Sequence, residues 1–237
     1  MPHCGHTQLN IPTPLYTKGD RTFVVSCITT VLVAIQFQHR ASKRHPARAA
    51  IFPGAWNPPT VAHRAIARAA LQWAEEVIWV LPRAFPHKAY EGAGFDERLH
   101  MLGLLMEPGF SVAISEGGLY VEIADEAREF FGRRTEIGMV CGRDAAERIA
   151  GWDYGRPGVF AEMLEKYPLL VAGRAGEYHP PEGHADRIIT LTPDECFDEI
   201  SSTDVRRRIA SGEPWRGLVA EPIADIVAVL YGAKPPL

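Results

Sequence analysis

Apolar runs alternate with amphipathic segments along most of the chain. Near-continuous apolar runs predict buried strands at 49–52, 76–81, 110–114, 137–141, 169–172 and 187–192. Helices are predicted between and after these strands, at 60–74, 96–106, 119–131, 143–150, 203–210 and 222–230. Thr60 and Asp96 are the expected N-caps of the first two helices, and Pro222 opens the last.

This alternation of strands and helices predicts the α/β class. Because strands that are apolar throughout are covered on both faces, we expect a Rossmann-like, doubly wound parallel sheet with helices on both faces. In such a sheet, ligands bind at the carboxyl ends of the strands. The expected ligand-binding loops are therefore 53–60, 82–95, 142–145, 173–186 and 193–203.

Composition supports a folded protein and divides the chain in two. The chain has 237 residues, 46% apolar and 23% charged, which excludes disorder, collagen and coiled coil as descriptions of the whole. The net charge is −4, so no basic surface for nucleic acid is expected. Residues 1–50 carry +5, however, whereas residues 51–237 carry −9. We therefore expect 1–47 to be an extension and linker, and 48–237 to be the main domain.

The extension contains one uncharged run, at 23–37. A membrane-spanning helix needs about 20 apolar residues, whereas this run has 15, which include Ser26 and Gln36. Membrane attachment is therefore not expected, and the run is interpreted as a buried strand or a packed helix. The four cysteines form no C-x-x-C pair, which favours a reducing, cytoplasmic setting. Homo-oligomerisation stays open.

The loop between the first strand and the first helix carries the strongest candidate chemistry. Gly54 allows backbone to approach a ligand closely, and Asn57 followed by two prolines forms a rigid turn. With Thr60 as the N-cap, His63 lies in the first turn of the helix. A helix N-terminus binds phosphate through its N–H groups, and an imidazole there adds a directional donor. This loop is therefore a predicted anion site.

Two motifs at opposite ends of one domain carry a family resemblance. The segment 52–63 resembles the T/H-x-G-H motif of a nucleotidyltransferase family, and 200–206 reproduces its I-S-S-T-x-x-R motif. The resemblance covers about residues 48–232 and implies the nucleotidyltransferase type of Rossmann-like fold. Within the family, the chain is most similar to the nicotinate mononucleotide adenylyltransferases. The features that carry this likeness are Pro86-His87-Lys88, Arg98, Gly142-Arg143-Asp144, Trp152 and the turn at 173–176.

The resemblance implies adenylyl transfer from ATP to nicotinate or nicotinamide mononucleotide, which gives deamido-NAD or NAD and pyrophosphate, in NAD biosynthesis. The attacking phosphate oxygen is already anionic, so positioned donors rather than a general base are expected. Mg²⁺ is expected to enter with ATP, and no metal ligand of the protein is predicted.

Site residues are carried over from the same resemblance. The implied catalytic residues are Thr60, His63 and Arg206. The implied ATP contacts are Gly54, Ala55, Trp56, His63, Gly142, Asp144, Arg174, Ser201, Ser202, Thr203 and Arg206. The implied mononucleotide contacts are Asn57, Lys88 and Trp152.

Two alternatives stay open. The same pair of motifs serves pantetheine-phosphate adenylyl transfer and cytidylyl transfer, although Trp152 and the segment 86–88 favour a pyridine mononucleotide. Pro53, Ala55 and Ala62 depart from the family motif. These departures leave fine substrate contacts open and also allow a nucleotide-binding protein without turnover.

Overall fold

The structure, a computed structural model, describes residues 34–83, 92–173, 178–181, 183–194 and 200–232. Seven strands in these residues form one sheet. They are β1 (Gln36–His39), β2 (Arg48–Pro53), β3 (Glu76–Pro82), β4 (Phe110–Ser115), β5 (Glu136–Gly142), β6 (Leu169–Ala172) and β7 (Ile188–Leu191).

The strand order is β1-β4-β3-β2-β5-β6-β7. Strands β2 to β7 pair in parallel, and β1 lies antiparallel to β4 at one edge. Without β1, this is the order of the doubly wound nucleotide-binding sheet, and it confirms the predicted fold class. The chain leaves β2 toward β3 and later returns to β5 on the other side of β2. A crevice therefore opens at the carboxyl ends of β2 and β5.

Seven helices in the described residues accompany the sheet. They are α1 (Val61–Ala70), α2 (Phe95–Gly103), α3 (Tyr120–Phe131), α4 (Arg143–Ala150), α5 (Val159–Lys166), α6 (Ser202–Ser211) and α7 (Glu221–Tyr231). Short 3-10 turns lie at Ala185–Arg187 and Arg216–Leu218.

The helices cover both faces of the sheet. On one face, α1 and α2 pack through Ile66 and Leu102 against side chains such as Trp79. On the other face, α3, α4 and α5 pack on a second cluster that includes Ile51 and Met139. A third cluster joins α6 and α7 to α2. The crevice thus lies between helices that belong to opposite faces.

Two of the predicted helices, α1 and α2, differ from the prediction by more than one residue at an end. Helix α1 ends at Ala70, four residues before the predicted end at 74. Asp96 is not the N-cap of α2, because the helix begins at Phe95 and Gly94 occupies the cap position. The reason is Glu97, whose carboxylate accepts a hydrogen bond of 2.6 Å from the Gly94 N–H and so starts the helix earlier. Helix α5 was not predicted.

The segment upstream of residue 48 contributes more than a linker. Strand β1 pairs with β4, and Arg40 follows it immediately. The Arg40 guanidinium donates to both carboxylate oxygens of Glu76, at 2.7 and 2.9 Å. Glu76 is only 1% exposed and also accepts from the Ser111 hydroxyl. Arg40 therefore supplies the countercharge of a buried carboxylate at the start of β3.

The domain boundary at residue 48 stays a prediction. Of the uncharged run 23–37, residues 34–37 are described, and the last two of them belong to β1. In the part of the chain that the structure describes, no helix is long and apolar enough to cross a membrane.

We expect Arg40→Ala to lower the free energy of unfolding by about 3 kcal/mol, because it leaves Glu76 buried without its countercharge. Chemical denaturation of the full chain measures this. Arg44→Ala is the matched control, since this nearby arginine is exposed, and it should change stability by about 0.5 kcal/mol or less. Equal losses in the two variants would contradict a structural role for Arg40.

Candidate functional site

A cavity of about 380 Å³ lies in the crevice at the carboxyl ends of β2 and β5. It is lined by the loop after β2, by the N-terminal ends of α3 and α6, and by one side of α4. Parallel strands direct their connecting loops to this edge, which explains why distant segments meet here. Eleven of the predicted contacts line it: Gly54, Ala55, Trp56, Asn57, His63, Gly142, Asp144, Trp152, Ser202, Thr203 and Arg206.

Two predicted residues that the structure describes do not line the cavity, and two others are not described. Thr60 is fully buried, at 0% exposure, and Ser201 caps α6. Lys88 and Arg174 lie outside the described residues.

The first turn of α1 fixes the orientation of His63. Thr60 is the N-cap, as predicted, and the His63 side chain completes a capping box, the reciprocal pair in which each side chain accepts from the other residue's backbone N–H. The backbone N–H of Thr60 donates to Nδ1 of His63 at 3.0 Å. A backbone N–H can only donate, so Nδ1 is unprotonated and the ring proton lies on Nε2. In this capping box Nδ1 of His63 accepts, and Nε2 is the ring nitrogen left to donate.

Thr60 acts through His63. Its hydroxyl lies 2.9 Å from Nδ1 of the imidazole and accepts from the His63 backbone N–H. The ring also packs edge-on against Trp56, with centroids 5.2 Å apart. Thr60 is fully buried, so its hydroxyl contacts the imidazole of His63.

The loop after β2 is built on the buried indole of Trp56. Trp56 is 2% exposed, has a positive φ of 51°, and donates from Nε1 to the Val80 carbonyl at 2.8 Å. A Cβ added at Gly54 would lie 2.6 Å from two atoms of this indole. Glycine is therefore required at 54 by the close approach of Trp56.

The second motif holds the first through hydrogen bonds to backbone carbonyls. Arg206 donates from Nη1 to the Asn57 carbonyl at 2.5 Å. Ser202 donates from its hydroxyl to the Pro58 carbonyl at 2.8 Å. Asn57 and Pro58 are joined by a cis peptide bond. The two sequence motifs, 144 and 149 residues apart at these contacts, are thus one structural unit.

Two further side chains fix the same loop. Arg98, which is 3% exposed, donates from Nη1 to the Ala55 carbonyl at 2.9 Å. The Tyr231 hydroxyl donates to Oδ1 of Asn57. Burial raises the pKa of Tyr231 to about 12, so this phenol keeps its proton. Helices α2 and α7 therefore position the loop together with α6.

Three residues of the opposite wall were missed in the sequence. Tyr120 at the start of α3, Arg148 on α4 and Tyr154 after α4 all line it. Burial raises the pKa of Tyr120 well above its usual value, and it raises the pKa of the Cys141 thiol as well. Neither group is therefore a ready nucleophile. The available signal was spacing, since Arg148 lies one helical turn after Asp144 and four residues before Trp152.

The chain is similar to known proteins in sequence and in fold. The profile of the cytidylyltransferase-like family matches residues 51–208. A protein of Stenotrophomonas maltophilia (strain K279a) is 30% identical over 78% of this chain and 97% of its own. A protein of Anaeromyxobacter dehalogenans (strain 2CP-C) is 33% identical over 75% of this chain and 92% of its own. Both carry the name "Probable nicotinate-nucleotide adenylyltransferase".

The fold is also found in solved structures. A nicotinic acid mononucleotide adenylyltransferase of Plasmodium falciparum, complexed with NaAD, superposes with a TM-score of 0.60 at 15% identity. The superposition covers 77% of this chain and 95% of that one. The same enzyme complexed with APC gives a TM-score of 0.57 at 15% identity, over the same shares of the two chains. At 15% identity, these two superpositions show a shared fold and nothing finer.

We expect Gly54→Ala to destabilise the protein by about 1–3 kcal/mol, because the added methyl overlaps a buried indole that has no room to move. Urea denaturation followed by tryptophan fluorescence reports both stability and the indole environment. Gly103→Ala serves as the control, since a Cβ there meets nothing within 4 Å. The steric explanation fails if Gly54→Ala is as stable as Gly103→Ala.

Proposed function

The chain belongs to the nicotinate-nucleotide adenylyltransferases of the cytidylyltransferase-like family, and we propose that the cavity between β2 and β5 is its active site. The reaction is adenylyl transfer in NAD biosynthesis. The phosphate of nicotinate mononucleotide, or of nicotinamide mononucleotide, attacks the α-phosphorus of ATP. The bond to the β-phosphate breaks, and deamido-NAD or NAD and pyrophosphate leave.

The assignment of the active site to this cavity rests on one observation. His63 from α1 and Arg206 from α6 line the same crevice, and the loop between them is fixed by hydrogen bonds to its carbonyls. Transfer between two phosphates needs no side-chain nucleophile, because the attacking oxygen is anionic. What it needs is orientation of two substrates and donors placed where negative charge develops.

His63 would donate from Nε2 to the phosphates of ATP. Its proton is held on Nε2 because Nδ1 is occupied by the Thr60 N–H. As the bond to the β-phosphate breaks, charge moves onto the leaving pyrophosphate, and a donor that is already oriented stabilises that charge without reorganisation.

Arg206 would bind the β- and γ-phosphates. The Nη1 contact with the Asn57 carbonyl holds the guanidinium at the cavity wall, and Nη2 donates to the Thr203 hydroxyl at 3.4 Å. Of the five N–H donors of a guanidinium, three are then left for phosphate oxygens. The N-terminal turn of α6 lies beside it, with Thr203 lining the cavity. Ser202 has a second task, since its hydroxyl fixes the loop at Pro58.

The remaining predicted contacts are proposals of the same kind. Asp144, whose carboxylate is two-thirds exposed, would accept from a ribose hydroxyl. Trp152 would stack on the pyridine ring, since an indole face suits a flat, electron-poor partner. Gly54, Ala55 and Gly142 would allow close approach of ATP, and the amide of Asn57 would meet the mononucleotide. Lys88 and Arg174 stay predictions.

Mg²⁺ would enter as the MgATP complex. Among the described residues, no group of three or more His, Cys, Asp or Glu side chains is placed to hold a metal ion. Mg²⁺ commonly keeps several waters and takes its other ligands from substrate phosphates, which fits a cavity where Asp144 is the carboxylate at the wall. A cytoplasmic setting and homo-oligomerisation stay predictions.

The activity is tested by pyrophosphate release from the full chain with MgATP and each pyridine mononucleotide. We expect release that depends on the mononucleotide and is absent with ATP alone. Two parallel reactions test the alternative activities of this fold. One uses phosphopantetheine as the acceptor, and the other uses CTP in place of ATP as the nucleotide donor. Turnover only in those reactions, or ATP binding without any turnover, would contradict the assignment.

We expect His63→Ala to lower kcat by about 10²–10³-fold, because it removes a preorganised donor. The variant also loses the capping box, so stability must be measured beside activity. His63→Glu separates the two effects. Glutamate at this position restores a capping box but places a carboxylate where a donor is needed, so its stability should stay near that of the wild type while its activity is lost. Substantial activity in His63→Glu would contradict the proposed role.

A further inference from the structure

Arg148 is a cation of the cavity that belongs to neither motif. It lies on α4, it is exposed, and it lines the cavity together with Asp144 and Trp152. Its charge acts on Tyr120 and on Cys141, where it opposes the burial that raises both pKa values. Arg148 therefore lines the cavity on the same side as Tyr120 and Cys141.

The structure leaves Arg148 available to a ligand. Within the described residues it forms no ion pair, although Asp144 lies one helical turn before it, at a spacing that favours pairing. Arg143 on the same helix lies instead 3.6 Å from Glu147 and 4.0 Å from Asp144. Arg207 and Arg208 on α6 are likewise held by Asp204.

The position of Arg148 separates it from the donors proposed for the triphosphate. His63 belongs to α1, which packs on one face of the sheet, and Arg206 to α6, which is joined to that side through α2. Helices α3 and α4 pack on the other face. Arg148 therefore reaches the cavity from across the crevice. Gly142 and Asp144, the implied ATP contacts on this side, lie at the start of α4, whereas Trp152, which would stack on the pyridine ring, follows Arg148 by four residues. We therefore expect Arg148 to meet the second substrate rather than ATP.

The surroundings of Arg148 suit an aromatic acid. Tyr120, Trp152 and Tyr154 line the same wall, so a flat ring bound there would lie among aromatic side chains. A guanidinium recognises a carboxylate through two parallel N–H···O bonds. Nicotinate carries such a carboxylate on its ring, whereas nicotinamide carries a neutral amide at the same position.

We propose that Arg148 binds the ring carboxylate of nicotinate mononucleotide and so makes the enzyme prefer the acid to the amide. This rests on the proposed function of the cavity. The claim is one of specificity, since the reacting phosphates lie with His63 and Arg206. Loss of Arg148 should therefore act on the binding of one acceptor and leave the chemical step nearly unchanged.

The test compares Arg148→Ala with the wild type at saturating MgATP, with each mononucleotide as the acceptor. We expect KM for nicotinate mononucleotide to rise about 10–100-fold, as for a lost charge-assisted hydrogen bond. kcat for this acceptor, and kcat/KM for nicotinamide mononucleotide, should change less than about threefold. Arg148→Lys keeps the charge but loses the bidentate geometry. Its KM for nicotinate mononucleotide should lie between those of the wild type and Arg148→Ala.

Arg143→Ala is the matched control, because it removes a neighbouring arginine of α4 that does not line the cavity in the described structure. It should leave both KM values unchanged. Equal losses with both mononucleotides would overturn the proposal in favour of a phosphate contact. A change confined to KM for ATP, or no change at all, would overturn it as well.

Calorimetric titration keeps this proposal separate from the proposed function. Nicotinate mononucleotide and nicotinamide mononucleotide are titrated into the wild type and Arg148→Ala without ATP. A weaker affinity of the variant for the acid alone supports the role of Arg148 even if turnover fails. If the wild type turns over both acceptors and the variant binds the acid normally, the role of Arg148 is wrong and the function stands.

Discussion

The loop between β2 and α1 must satisfy backbone carbonyls that point into the protein, and the site depends on this constraint. The carbonyls of Ala55, Asn57 and Pro58 accept from side chains that lie between 43 and 149 residues away in the chain. An unpaired buried carbonyl is costly, so the loop has this shape only when α2 and α6 are docked. The cavity is therefore a product of the whole domain. The same docking places Arg206 and His63 on one crevice.

The net charge of the chain differs in sign from the charge concentrated at the cavity. Residues 51–237 carry −9, yet the proposed substrates are both anions. Anions can bind here because hydrogen-bond donors and positive charges are concentrated at the cavity. Its lining includes the imidazole of His63, the guanidinium groups of Arg148 and Arg206, and the first turns of two helices. Asp144 is the acidic side chain at the wall. A small positive focus within an acidic domain attracts phosphates without making the whole surface basic.

Local patterns in the sequence predicted strands β2 to β7 and eleven of the residues that line the cavity. Strands buried on both faces are apolar throughout, so β2 to β6 were visible as runs, and Thr60 was visible as a cap. Strand β7 lies at the edge of the sheet and is only partly buried, but it was also visible as an apolar run. The docking of α2 and α6 onto the loop after β2 could not be predicted from these local patterns. Gly54 was expected to admit a ligand, and the close approach of the Trp56 indole adds a structural reason for glycine there. Arg40 and β1 were hidden in a polar stretch, because a countercharge for one buried carboxylate leaves no pattern. Arg148 was missed because a single arginine on a helix carries no motif.

The most direct measurement is a crystal structure of the full chain with a non-hydrolysable ATP analogue. The central claim is that the crevice between β2 and β5 holds the triphosphate, with the first motif supplying the imidazole of His63 and the second the guanidinium of Arg206. The predicted result is a triphosphate within hydrogen-bond distance of Nε2 of His63 and of the Arg206 guanidinium, with the Asn57 and Pro58 carbonyls still held by α6. A triphosphate bound outside this crevice, or one that touches neither side chain, would contradict the claim.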